Sequence, residues 1–241
     1  VTGAKVDVKI NGKRQPQWQS LDLTMGDELE LGYATNGCRI YLAVAGGFKI
    51  EKQFSSNSTV AREGVGGLTG KGLAKGDKLD CHALICQADA HQSLPPTLRP
   101  EYSDVVTLRV IPGYQQAHFS DHEKTMFFQN EFKVSELCDR MGYRLTGPQV
   151  SCDIEGILSE GICLGAIQVP KDGQPIILMN DRQTIGGYPK IGSVLSLDLA
   201  NLAQLTPGGS VKFEAITIDD AHNLLALAQH KFENSNAEPV A

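Results

Sequence analysis

Apolar and polar residues alternate along much of this chain, and a period of two marks half-buried β-strands. KVDVKI (5–10) alternates, Asn11-Gly12 follows it as a hairpin turn signal, and ELELGY (28–33) alternates again. CRIYLAV (38–44) predicts a strand buried on both faces. Between Ala88 and Asp104 the pattern dissolves into ADAHQSLPPTLRPEYSD, whose prolines deny the backbone regular pairing, so a linker is expected over 89–103. A second β-rich region opens with VVTLRVI (105–111) and continues through FKVSEL (132–137), GAIQV (165–169), PIILM (175–179) and SVKFEAITI (210–218). Helical spacing is confined to HFSDHEKTMFF (118–128), LDLANLAQL (197–205) and DDAHNLLALAQHKF (219–232), the last with Asp219 or Asp220 as its N-cap. The polar tail, 235–241, is expected to be flexible.

The two halves echo each other. GCRIYLAVAGGF (37–48) is followed by LAKGDKLDCHAL (73–84), and GQPIILMNDRQTIGGY (173–188) by LTPGGSVKFEAI (205–216). Each unit runs from a glycine through an apolar strand to Gly-Gly-aromatic, and later from a leucine through a glycine turn into another strand. The expected fold is therefore mainly β with a few short helices, arranged as a first β lobe over 1–88 and a second barrel-like lobe over 104–234.

Composition narrows the function classes. The 241 residues carry a formal net charge of −6, and no run of Lys and Arg forms a basic stripe, which argues against a nucleic-acid or anionic-membrane partner. No apolar stretch reaches the roughly 20 residues that span a bilayer. Six cysteines without a CxxC pair fit reduced thiols better than a zinc knuckle, and the expectation is a cytoplasmic protein without a metal.

The glycine-rich GVGGLTGKG (64–72) fails as a phosphate loop, because Val65 stands where the first glycine is required and Gly72 follows Lys71 in place of Ser or Thr. His118 and His122 lie four apart but outside any HExxH pattern, and no GxSxG elbow is present. Two polar clusters remain. CDRMGYRLTGP (138–148) offers Arg140, Tyr143 and Arg144, whose guanidinium forks suit a carboxylate or a developing oxyanion. GAIQVPKDGQPIILMNDRQTIGGYPKIG (165–192) adds Gln168, Asp181, Gln183, Thr184, Gly186, Gly187, Tyr188 and Lys190. Gln168 sits in an apolar run, so once buried its amide needs a partner from the protein or from a ligand.

SELCDRMGYRLTGP, the 165–192 stretch and LAQLTPGGSVKF, together with GCRIYLAVAGGF and LAKGDKL in the first half, resemble the signature stretches of the biotin-dependent carboxyltransferase family. That family includes the C subunit of 5-oxoprolinase, the second subunit of allophanate hydrolase and the carboxyltransferase region of urea carboxylase. SSNSTV (55–60) departs from the family's Gly-Ser-Arg-Ser-Thr stretch, with Ser55 and Asn57 in place of the glycine and arginine. Members usually carry several dozen further residues before the stretch that resembles VTGA.

The resemblance implies two cyclophilin-like β-barrel lobes and membership of a heteromeric complex. Its first form is an ATP-dependent 5-oxoprolinase, with the A and B subunits of 5-oxoprolinase, or a homologue of the first subunit of allophanate hydrolase, as partners and a small amide as substrate. Alternatives are urea carboxylation with biotin carried on a partner, and antagonism of a histidine-kinase inhibitor. For an amide substrate, Gln168 and Gln183 would match its donor and acceptor edge, and Asp181 would accept from its nitrogen. Arg140, Arg144 or Lys190 would stabilise its oxygen, Tyr188 and Thr184 would orient the ring or relay a proton, Tyr143 would bind the substrate, and the Gly186-Gly187 pair would let the backbone approach closely.

Overall fold

The computed structural model describes residues 1–82 and 91–240. Cys86, the end of the expected first lobe and residues 89 and 90 of the expected linker lie outside the described residues.

In the first region β1 (Thr2–Lys5), β2 (Val8–Ile10), β3 (Lys13–Gln15), β4 (Leu29–Leu31) and β5 (Asn36–Tyr41) form two small sheets, β1 with β5 and β2 between β3 and β4. Asn11 and Gly12 take φ of 51° and 75°, the paired left-handed conformation a two-residue hairpin needs, which is why this dipeptide joins β2 to β3. The expectation that 38–44 is buried on both faces is corrected: Tyr41 and Leu42 are exposed. The glycine-rich stretch packs on itself, since a side chain at Gly70 would collide with the Gly64 carbonyl. Among the described residues this region has small sheets and isolated bridges and no closed barrel. Within the expected linker, β6 (Gln92–Ser93) makes a short antiparallel pair with a strand near the C-terminus.

The second region closes. Its elements are β7 (Val105–Pro112), α1 (Asp121–Gln129), β8 (Phe132–Cys138), β9 (Gly142–Thr146), β10 (Glu160–Gly161), β11 (Ala166–Gln168), β12 (Ile176–Leu178), β13 (Ile185–Gly186), β14 (Lys190–Val194), α2 (Leu199–Leu202), β15 (Ser210–Ala215), α3 (Ile218–Glu233) and β16 (Glu238–Pro239), the partner of β6. Seven strands form a closed barrel in the order β11-β12-β9-β8-β15-β7-β14, with β14 returning to β11. All its neighbours are antiparallel except β15 and β7, which run parallel from Ser210 beside Val105 to Ala215 beside Val110.

Alternation fills the interior: Leu108, Val110, Val134, Leu145, Ile167, Ile177, Ile191 and Val211 are each buried, at about 1.5–3 kcal/mol per fully buried aliphatic side chain. Phe127 of α1 stacks on Phe213 with ring centroids 4.1 Å apart and meets Phe132 at 5.9 Å, fastening the helix to the barrel. Ser120 caps α1 by accepting from the Glu123 amide at 3.2 Å. α3 is capped earlier than the sequence suggests: Thr217 is the N-cap, and Asp220 returns the bond as the third residue of a capping box. Asp198, nearly buried, binds the Arg109 amide at 2.8 Å and its guanidinium at 2.9 and 2.5 Å, fixing the segment before α2 to β7.

One amide joins the two regions. The Gln204 Oε1 accepts from the Cys38 and Arg39 amides, both at 2.8 Å, and its Nε2 donates to the Arg39 carbonyl at 3.1 Å, so a side chain completes the edge of β5 as a strand would. Arg39 also donates to the Tyr143 hydroxyl at 2.9 Å and to the Ala203 carbonyl.

Candidate functional site

The site forms on the outside of the barrel. Ile167, Ile177 and Tyr143 lie opposite one another on β11, β12 and β9 and point inward. Their neighbours Gln168, Ile176 and Arg144 therefore point outward, with Lys190 of β14 opposite Gln168. A small ribbon, β10 with β13, lies over this face and seals a minor apolar cluster of Ile162, Ala166 and Leu178. Gln168 consequently has only 1% of its surface exposed although it points away from the barrel core.

Beside the ribbon opens a cavity of about 180 Å³ lined by Tyr114, Gln115, Glu160, Cys163, Lys190 and Ser193 with Gly113, Gly161 and Gly192. Lys190 ion-pairs with Glu160, and the Tyr114 hydroxyl donates to the other oxygen of the same carboxylate. Gln115 ties the parts together: its Nε2 donates to Glu160 at 3.0 Å while its Oε1 accepts from the Lys190 amide at 2.8 Å. Bonds from Lys190 first and Tyr114 second hold the Glu160 carboxyl below the ordinary glutamate range, and the bond to Glu160 pushes the Tyr114 phenol up. The Cys163 thiol and Ser193 hydroxyl lie 3.2 Å apart on the wall.

Two features point to a ligand. Lys190 is mostly buried, yet its ammonium has three donors and Glu160 takes one of them. Gln168 Nε2 is the buried side-chain atom without a hydrogen-bond partner among the described residues. It lies against the ribbon: a Cβ on Gly186 would stand 3.0 Å from that nitrogen and 2.5 Å from Ile162, and 3.7 Å from the Gln183 amide nitrogen. Glycine at 186 is what allows the ribbon to descend this far.

The sequence-derived candidates divide. Lys190 lines the cavity, and Gln168, Gln183 and Gly186 converge behind its ribbon. Thr184 and Gly187 hold loops through their carbonyls, accepting from the Ile162 amide at 3.0 Å and the Ile157 amide at 2.8 Å, and Tyr188 is exposed. Arg140 and Asp181 neutralise each other in a two-pronged pair at 2.7 and 2.9 Å. Arg144 pairs with Asp172 at 2.7 Å, and Tyr143 is buried in the core with its hydroxyl on Arg39. None of these four lines the cavity. Glu160, Tyr114, Gln115, Cys163 and Ser193 were not singled out by sequence reasoning. Gln115 is buried, but it stands in GYQQAH and not in an apolar run like that around Gln168, so the sequence carried no such signal for it.

The model of the carboxyltransferase domain, subdomains A and B, matches residues 1–215. The chain belongs to this carboxyltransferase family. It is 36% identical to the C subunit of Haemophilus influenzae 5-oxoprolinase over 229 residues, covering 93% of this chain and 71% of that protein. With the C subunit of Escherichia coli 5-oxoprolinase it shares 33% over 235 residues, 97% of this chain and 74% of the other. The Kluyveromyces lactis urea carboxylase structure superposes with a TM-score of 0.88 at 26% identity, over 96% of this chain and 22% of that one. As a carboxyltransferase-family domain it thus combines a closed barrel with small sheets, and no described helix is long and apolar enough to cross a membrane.

Proposed function

We propose that this chain is the C subunit of an ATP-dependent 5-oxoprolinase, acting with A and B subunits to open 5-oxo-L-proline to L-glutamate in the cytoplasm. The observation that carries the reading is the identity of 36% and 33% with two bacterial C subunits across 93% and 97% of this chain. The cavity supports it. A volume of about 180 Å³ suits a five-membered lactam and is well below the 300–1,000 Å³ of pockets that enclose drug-sized ligands. A nucleotide exceeds this cavity, so in this reading ATP binds elsewhere in the complex.

In this reading Lys190 donates to the lactam oxygen, where negative charge grows as the amide is activated. Glu160, Tyr114 and Gln115 keep the lysine aimed. Gln168 and Gln183 answer the lactam edge once the ribbon lifts, and the Arg140–Asp181 pair positions the loop that carries Gln183. Residues 1–88 are taken as the first lobe, 89–103 as the linker, 104–234 as the second, cyclophilin-like lobe and 235–241 as the tail, whose β16 pairs with β6 of the linker.

A second reading, carboxyl transfer to urea from biotin on a partner, is favoured by the superposition on urea carboxylase. Reconstitution with A and B subunits separates the two. The first reading expects 5-oxoproline-dependent ATP hydrolysis that Lys190→Met removes while the complex still assembles. Urea-dependent turnover requiring a biotinylated partner, with no response to 5-oxoproline, would overturn it.

A further inference from the structure

Three donors converge on one carboxylate. The Lys190 ammonium, the Tyr114 hydroxyl and, at 3.0 Å, the Gln115 Nε2 all bond to Glu160. The donors sit on β14 and on the turn directly after β7, whereas Glu160 belongs to the ribbon laid over the barrel. A cation and two neutral donors aimed at a common point make a receptor for a carboxylate, and here the chain's own glutamate fills it.

The two sides of this contact are unequally fixed. The Lys190 side chain is 11% exposed and stands on a strand paired with both β11 and β7, while the Glu160 side chain is 31% exposed and its strand is two residues long. Of the ribbon's four paired residues, Gly161 and Gly186 have no side chain and Ile185 is 63% exposed, so Glu160 is the one that grips the barrel, with Ile162 packed just beyond it. Glu160 returns to water easily, but the buried lysine releases it only when another anion takes its place. Beneath the ribbon lies Gln168, 1% exposed, whose Nε2 has no partner among the described residues. The closed ribbon thus leaves a buried donor unsatisfied, a cost that lifting it relieves.

We propose that Glu160 is a latch released by a carboxylate ligand: the ligand's carboxylate replaces Glu160 on Lys190, Tyr114 and Gln115, the ribbon lifts, and Gln168 is uncovered for the rest of the ligand. The exchange conserves charge, since one carboxylate leaves the lysine as another arrives. With 5-oxo-L-proline as the ligand, the latch rests on the reading above: the substrate's carboxylate takes over the aiming of Lys190, whose remaining donors face the lactam oxygen. A neutral amide leaves the latch shut, so the site selects substrates that carry the acid.

Ala166, fully buried in the cluster under the ribbon, supplies the probe. The full chain carrying Ala166→Cys is treated with iodoacetamide, and the label at 166 is read by peptide mass spectrometry. Cyclopentanecarboxylate, a ring with an acid and no amide, and 5-oxo-L-proline both speed labelling several-fold, whereas 2-pyrrolidinone, the lactam without the acid, does not. In a second measurement, calorimetry on the full chain with Ala166 intact, Glu160→Gln exchanges the charged competitor for a neutral one and tightens cyclopentanecarboxylate binding by roughly tenfold. Labelling that cyclopentanecarboxylate slows or leaves unchanged, equal acceleration by 2-pyrrolidinone, or an affinity unchanged by Glu160→Gln would overturn the latch. If cyclopentanecarboxylate opens the ribbon while 5-oxo-L-proline neither opens it nor drives ATP hydrolysis in the complex, the latch stands and the 5-oxoprolinase reading falls.

Discussion

Replacing Gln204 by methionine removes the one side chain that completes β5, while nearly conserving volume. The lost interactions are the two amides of Cys38 and Arg39 at 2.8 Å and the Arg39 carbonyl at 3.1 Å. At about 1 kcal/mol net for each hydrogen bond, the substitution costs about 3 kcal/mol. Cavity formation adds little, because methionine fills the space. With a urea m-value of about 2–3 kcal/mol per M, the midpoint falls by about 1 M. The chain has a single tryptophan, Trp18, which sits in the first region and reports on it by fluorescence, while far-UV circular dichroism follows the barrel. The fluorescence transition is expected to move first and furthest, since the bonds removed are among those that hold the first region against the barrel. Gln204→Glu, which keeps the acceptor for both amides, should lose less. A loss below about 1 kcal/mol for Gln204→Met would show that water replaces these bonds, and the amide would then be no clasp.

Asp198→Asn breaks the charged pair with Arg109 and is expected to cost roughly 3 kcal/mol, the low end for a buried pair because the arginine is partly solvated; chemical denaturation measures it. Gly186→Ala forces a methyl into Ile162 and Gln168, so a loss of about 1–3 kcal/mol is expected, with greater protease sensitivity around the ribbon. Glu160 has its folded-state pKa lowered, so its bonds stabilise the fold above the ordinary value of roughly 4.3, and that contribution disappears as the pH falls through the folded value. The stability difference between the wild type and Glu160→Gln should therefore shrink on acidification, and a difference that grows would contradict the assignment.

Period-two patterning made the strands of the second region legible: VVTLRVI, FKVSEL, GAIQV, PIILM and SVKFEAI each supply a barrel strand. It did not reveal β9 or β14, because Gly142, Arg144, Lys190 and Gly192 dilute the alternation and read as turns. The site was half legible for a related reason. Buried polarity can be inferred from one segment at a time, which singled out Gln168, while Lys190 was named as one member of a polar cluster. Charge pairing cannot, and it decides that Arg140 is spent on Asp181 and Arg144 on Asp172. Nor could the sequence bring Tyr114 and Glu160 together, since their meeting depends on a short ribbon whose second strand follows much later in the chain. The exposure of Tyr41 and Leu42 shows the opposite failure, where an apolar run implied a burial that the described residues do not supply.

The parallel union of β7 with β15 has a consequence for how the chain is made. β7 leaves the ribosome first among the barrel strands, yet both of its neighbours, β14 and β15, are synthesised last. Until then its backbone donors and acceptors and the side chains of Val106, Leu108 and Val110 have no strand beside them, so the nascent chain exposes a sticky edge for most of the barrel's synthesis. Closure over so long a loop is slow relative to hairpin formation. Chaperone dependence during synthesis, and a relief of it in a circular permutant whose new start precedes β15, so that β15 is made before β7, are the signatures to look for.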